Sequence, residues 1–158
     1  MARRPAQPKF RIENFPLFAM AHIVAHAQNR IVSAIRTYRM SPSVWRVISM
    51  VAEVDGIKIN NLARRVIVER SALSRIVAKL EEDGLLERRA DPKDGRAVTL
   101  HLSQRGRKLY QDAAPLAQKE LETILSALSA KERATLMVLL GRIRRQMPAI
   151  PKWVDDSN

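Results

Sequence analysis

Apolar side chains return at three- and four-residue steps along most of the chain and switch to strict alternation only once. From about Pro16 to Arg39, Met20, Ile23, Val24, Ala27, Ile31, Ala34, Ile35 and Tyr38 mark the stripe of one long amphipathic helix. Ser41-Pro42 then offers an N-cap followed by proline at the first helical position. Val44, Trp45, Val47, Ile48 and Val51 predict a second helix that stops near Asp55-Gly56, and Ile59, Leu62, Ala63 and Val66 predict a short third. A fourth helix is expected from about Glu69 to Asp83, with Leu73, Ile76, Val77 and Leu80 inward and Gly84 as its stop. Leu86-Glu87-Arg88-Arg89 and Val98-Thr99-Leu100-His101-Leu102 read as two short strands around the turn-forming Asp91-Pro92-Lys93-Asp94-Gly95, a β-hairpin. Ser103 opens a fifth helix whose stripe includes Leu109, Ala113, Leu116, Leu121, Ile124, Leu125 and Leu128, with Pro115 expected to kink it. Ser129-Ala130-Lys131-Glu132 is a capping-box sequence, and Leu136, Leu139, Leu140, Ile143 and Met147 stripe a sixth helix. The arm through Pro8 shows no periodicity.

The pattern predicts a mainly α protein of about six helices and one two-stranded hairpin. At 158 residues, 46% of them hydrophobic, a single compact core with appended elements is the expected organisation. No apolar run approaches the roughly 20 residues of a membrane span, and the basic start lacks the apolar core of a secretory signal, so a soluble cytoplasmic protein is expected. The absence of cysteine removes disulfides, thiolate metal sites and thiol nucleophiles. The formal charge of +12 is unevenly placed: residues 1–80 carry 14 Lys or Arg against 4 Asp or Glu, and the remainder 14 against 12. A surplus gathered in one half points to an acidic polymer as partner, nucleic acid before an anionic membrane surface, since no basic helix with a Trp- or Leu-rich face supports the latter.

The third and fourth helices, joined by a sharp turn, have the dimensions of a helix-turn-helix. The outer face of the second carries Arg70, Ser71, Ser74, Arg75 and Lys79. Small hydroxyl residues at Ser71 and Ser74 let the backbone approach the major-groove floor, Arg75 can fork onto guanine O6 and N7, and Lys79 suits a phosphate. The same residues would also stand on the solvated face of any amphipathic helix. The hairpin that follows sharpens the reading, because Lys93 and Arg96 at its tip can enter the narrow minor groove as a wing beside the groove-reading helix.

The run from Ser71 through Arg88, with its Asp83-Gly84-Leu85-Leu86 exit, the Asp91-Pro92-Lys93-Asp94-Gly95-Arg96 wing and the Leu102-Ser103-Gln104-Arg105-Gly106 entry to the next helix resemble the MarR family of regulators. The resemblance implies a winged helix-turn-helix in residues 40–102, with residues 1–39 and 103–158 supplying dimerisation helices. It further implies a homodimer, built from the first, fifth and sixth helices, that straddles a pseudo-palindromic double-stranded operator and is commonly a repressor released by a small aromatic or lipophilic effector. The groove-reading role then falls on Ser71, Ser74 and Arg75 and the wing role on Lys93 and Arg96. The sequence departs from the pattern twice. The reading helix opens on Val68-Glu69 where a capping Ser, Thr or Asp is common, which leaves its exact start open, and Lys93 stands where a second Arg is common.

The family's effector pocket lies where the dimer helices meet the winged domain, here at the first two helices. Phe18, His22, His26, Tyr38, Trp45 and Arg46 are the residues there able to line an aromatic cavity and orient a carboxylate or phenol. His22 and His26 share a helix face at zinc-compatible spacing, but two ligands do not complete a tetrahedral site, so no metal and no cofactor are expected. Tyr38 and Trp45 also fit an ordinary core role. No phosphate loop, serine elbow or His-Glu-x-x-His is present, and catalysis is not expected. A basic protein that coats duplex without sequence preference remains the alternative.

Overall fold

The computed structural model describes residues 11–91 and 94–147. A single helical turn at Ile12–Asn14 leads into α1 (Pro16–Ala34), followed by α2 (Pro42–Glu53), the two-residue strand β1 (Ile57–Lys58), α3 (Ile59–Val66) and α4 (Arg70–Glu82). β2 (Leu86–Asp91) and β3 (Asp94–Leu102) form the hairpin, and α5 (Gln104–Leu125) and α6 (Ala130–Gln146) complete the described chain. This is the mainly helical winged helix-turn-helix architecture that the periodicity predicts.

The end of the first helix and the make-up of the sheet differ from expectation. The first helix ends at Ala34, not Arg39: the chain tightens into a 3-10 turn at Arg36–Tyr38, and Arg39 takes a left-handed conformation. That bend brings Ile35 and Met40 into the core. The hairpin gains a third strand, because β1 pairs antiparallel with β3 through Ile57 opposite Leu100 and Lys58 opposite Thr99, giving the order β1-β3-β2. Two residues of strand are too short for alternation to reveal. α5 contains Pro115 and runs to Leu125.

The core lies under the helix-turn-helix. Val47, Ile48 and Val51 of α2, Leu62 and Val66 of α3, Leu73 and Val77 of α4 and Leu100 of β3 are essentially inaccessible to water. Burial of these side chains, about 1.5–3 kcal/mol each, fixes α4 against the sheet. By contrast α6 buries none of its residues, and Ile23 and Val24 of α1 and Met137 and Val138 of α6 are more than half exposed. No helix among the described residues is long and apolar enough to cross a membrane.

Candidate nucleic-acid interface

α4 is held at both ends. At its N-terminus the Glu69 carboxylate accepts hydrogen bonds from the backbone N–H groups of Ser71 (2.8 Å) and Ala72 (3.0 Å) and from the Ser71 hydroxyl. These bonds, first of all that from the Ser71 hydroxyl, hold the Glu69 carboxyl below its usual range. The missing Ser, Thr or Asp cap is therefore replaced by Glu69 itself, whose longer side chain reaches the same orphan donors and whose charge suits the positive end of the helix. Val68, just before the cap, packs against the core while Leu73 is buried in it.

At the other end Gly84, at φ +66°, closes a Schellman turn: Leu85 N–H donates to the Leu80 carbonyl at 2.8 Å and Gly84 N–H to that of Glu81 at 2.9 Å. The start of α5 is stapled to this turn. The Ser103 hydroxyl donates to the Gly84 carbonyl (2.7 Å) and accepts from Gly106 N–H (2.9 Å), and Arg105 donates to the Asp83 carbonyl (3.0 Å). Gly106 is obligatory here, since a Cβ would sit 2.1 Å from the Leu85 carbonyl oxygen.

Between these anchors the outer face of α4 presents Arg70, Ser71, Ser74, Arg75 and Lys79, all exposed. Ser71 donates its proton to Glu69, so toward a partner it offers lone pairs only. Lys79 is spanned by Asp83 (3.0 Å) and Glu82 (3.1 Å), and these bonds, Asp83 first, raise its pKa. Its charge is thus locally balanced. On β2, Arg88 is paired with Glu81 at 2.8 Å and Arg89 with Glu87 at 2.9 Å, while exposed Arg75 on α4 interacts electrostatically with the Glu69 cap. Arg64 and Arg65, exposed on α3 beside the turn, extend the positive surface and were not singled out by the helical pattern, because charged residues at a helix C-terminus are commonplace.

The wing is braced at its base. Lys58 of β1 pairs with the nearly buried Asp91 at 2.6 Å, and His101 of β3 lies 3.0 Å from Asp55 and 3.0 Å from the Thr99 hydroxyl. Of the two wing candidates, Arg96 falls within β3, and Lys93 lies outside the described residues.

The six candidate effector residues divide among several separate contacts in the single chain. Phe18 and His22 meet edge to face with ring centres 4.5 Å apart on the exposed side of α1. Trp45 stacks on Tyr110 of α5 at 5.7 Å, half-buried Tyr38 packs against the core, and Arg46 donates to the Val66 carbonyl at 2.9 Å. Only His26 lines the open groove of about 460 Å³ between α1 and α5, with Asn29, Arg30, Ser33, Ala34 and Glu120. Arg30 and Glu120 close a 2.6 Å ion pair in its wall. Tyr110 escaped the sequence reading because nothing local links it to Trp45, 65 positions earlier.

A family model described as MarR family matches residues 40–97. A protein of Thauera aromatica described as regulating the hcr operon is 30% identical over 115 residues, 73% of this chain and 69% of that protein. The homoprotocatechuate degradative operon repressor of Escherichia coli is 26% identical over 106 residues, 67% and 72% of the two chains. The first curated relatives that the chain matches are spanned over 66%, 69% and 61% of their length. Among solved structures, NadR in complex with 4-hydroxyphenylacetate shares the fold with a TM-score of 0.76 at 23% identity, over 91% of this chain and 100% of that one.

Proposed function

The chain belongs to the MarR family, and from that premise we propose that it is a sequence-specific regulator that binds double-stranded DNA as a homodimer, represses, and is released by a small aromatic or lipophilic effector. The observation that carries this reading is the outer face of α4: exposed Arg70, Ser71, Ser74 and Arg75 on a helix pinned by a cap at one end and a Schellman turn at the other. A rigid helix with small hydroxyls beside an exposed guanidinium can lie along the major-groove floor, where Arg75 meets guanine O6 and N7 and Ser71 accepts from an exocyclic amine. Arg70 supports the helix against the phosphates, Lys79 reaches a phosphate by leaving Glu82 and Asp83, and Lys93 and Arg96 enter the adjacent minor groove.

Dimerisation is supported by the exposed apolar side chains of α1, α5 and α6, among them Ile23, Leu121, Met137 and Val138, which a second copy would remove from water. Repression and an aromatic effector are supported by the description of the E. coli relative and by the ligand of NadR. The α1–α5 groove beside His26 adjoins that apolar surface, and Arg30 could pass from Glu120 to an effector carboxylate. Duplexes enriched from a random pool test the reading against a coating protein: a regulator prefers its selected duplex to scrambled competitor by about a thousandfold or more at fixed salt, and a coating protein does not.

A further inference from the structure

Ile67, the single residue between the last turn of α3 and Val68, adopts φ 50° and ψ 51°. This is the left-handed region, where glycine or asparagine is the ordinary occupant of a helix terminus and a branched Cβ is the most crowded choice. Ile67 is also 76% exposed, the most exposed large apolar side chain among the described residues. Its neighbours behave otherwise: Val66 is fully buried and Val68 packs on the core. A strained backbone carrying an apolar group that touches almost nothing in its own chain is a cost to the isolated fold, and such costs persist where another partner supplies the compensation.

Self-association does not account for it. The apolar face of α1, α5 and α6 is built from other elements, whereas Ile67 stands in the turn of the helix-turn-helix between Arg64 and Arg65 on one side and Arg70 on the other. These three exposed arginines flank it along the chain, and a positive surface suits phosphates better than an apolar protein partner. It precedes the Glu69 cap by two residues, at the end of α4 that enters the major groove in helix-turn-helix docking. The apolar group displayed on the major-groove floor is the C5-methyl of thymine.

We infer that Ile67 is a specificity-determining residue that packs on a thymine methyl in each half-site. This rests on the DNA-binding reading above and adds to it a readout that none of the polar side chains of α4 provides. Arg75 and the serines read hydrogen-bonding edges, while Ile67 reads a methyl group and so distinguishes thymine from the other three bases at its position.

The test combines Ile67→Gly and Ile67→Asn with single thymine-to-deoxyuridine replacements, which delete only the methyl, across a duplex selected by the full chain. Both variants fit the left-handed backbone, so their urea midpoints should equal or exceed that of the parent protein. At one position in each half-site, deoxyuridine should weaken the parent about three- to tenfold and leave either variant unchanged. Equal sensitivity of parent and variants at every position, with selectivity over scrambled duplex retained, overturns the role of Ile67 and leaves the DNA-binding reading standing. Absence of any selected duplex overturns both.

Discussion

The guanidinium of Arg46, on α2, donates to the backbone carbonyl of Val66, the last residue of α3, at 2.9 Å. Helices end with unpaired carbonyls, and this one receives both a hydrogen bond and a positive charge where the helix dipole is negative. The contact ties α2 to the hinge of the helix-turn-helix, directly before the strained turn at Ile67. Arg46→Met keeps much of the side chain's packing but removes the donor, leaving a carbonyl unsatisfied. The expected loss is about 1–3 kcal/mol of unfolding free energy by urea titration. An unchanged midpoint would show that water replaces the guanidinium.

The cap at Glu69 makes a pH-dependent contribution. Hydrogen bonds from Ser71 and Ala72 depress the Glu69 carboxyl below its ordinary value of 4.5. A depressed carboxyl stabilises the fold fully above the unfolded value, and that stabilisation fades as pH falls through the folded one. Glu69→Gln should therefore lower thermal stability relative to the parent at pH 7, with the difference closing below pH 4.5. A difference independent of pH would point to a steric effect instead.

Gly106→Ala places a methyl against the Leu85 carbonyl and cannot be accommodated without moving α5 away from the end of α4. A loss of about 3 kcal/mol or more in unfolding free energy is expected, in the range reserved for overpacking and broken buried hydrogen bonds. Wild-type stability of this variant would mean that the junction of α4, β2 and α5 is looser than its hydrogen bonds indicate.

A charge on the apolar face of α6 tests the proposed pairing of two chains. Met137 and Val138 of α6 are 69% and 55% exposed in the single chain, so a lysine at either position costs the monomer little. Sedimentation should find the parent at twice the chain mass and Val138→Lys shifted toward one chain, with its helical content retained. A variant that still sediments as a pair would move the interface away from α6.

Much of this architecture was legible in the sequence because its signals are local. Ser41 caps α2 through Val44 N–H, Ser129 and Glu132 form the reciprocal capping box, and Gly84 ends α4, as their spacings predict. The exposed face of α4 was readable for the same reason, since a period of 3.6 residues sorts its two sides. What escaped depends on contacts between distant positions or on unusual backbone. Arg46 and Val66, Lys58 and Asp91, and Trp45 and Tyr110 meet only in the folded chain. Glu69 was missed as a cap because glutamate seldom fills that role, and Ile67 because isoleucine is the residue least expected at positive φ. Among the candidate effector residues, Phe18, His22 and His26 stand on α1, Tyr38 in the 3-10 turn and Trp45 and Arg46 on α2, so their mutual placement depends on how these elements pack.

Methylation interference on the selected duplex tests the central claim most directly, because dimethyl sulfate marks guanine N7 in the major groove, the atom assigned to Arg75. The account predicts interfering guanines in two symmetric half-sites whose centres lie about one helical turn, or a whole number of turns, apart. With Arg75→Ala, interference at one guanine per half-site should disappear as affinity falls by about 1–3 kcal/mol. Binding indifferent to N7 methylation, or the same interference pattern in both proteins, would contradict it.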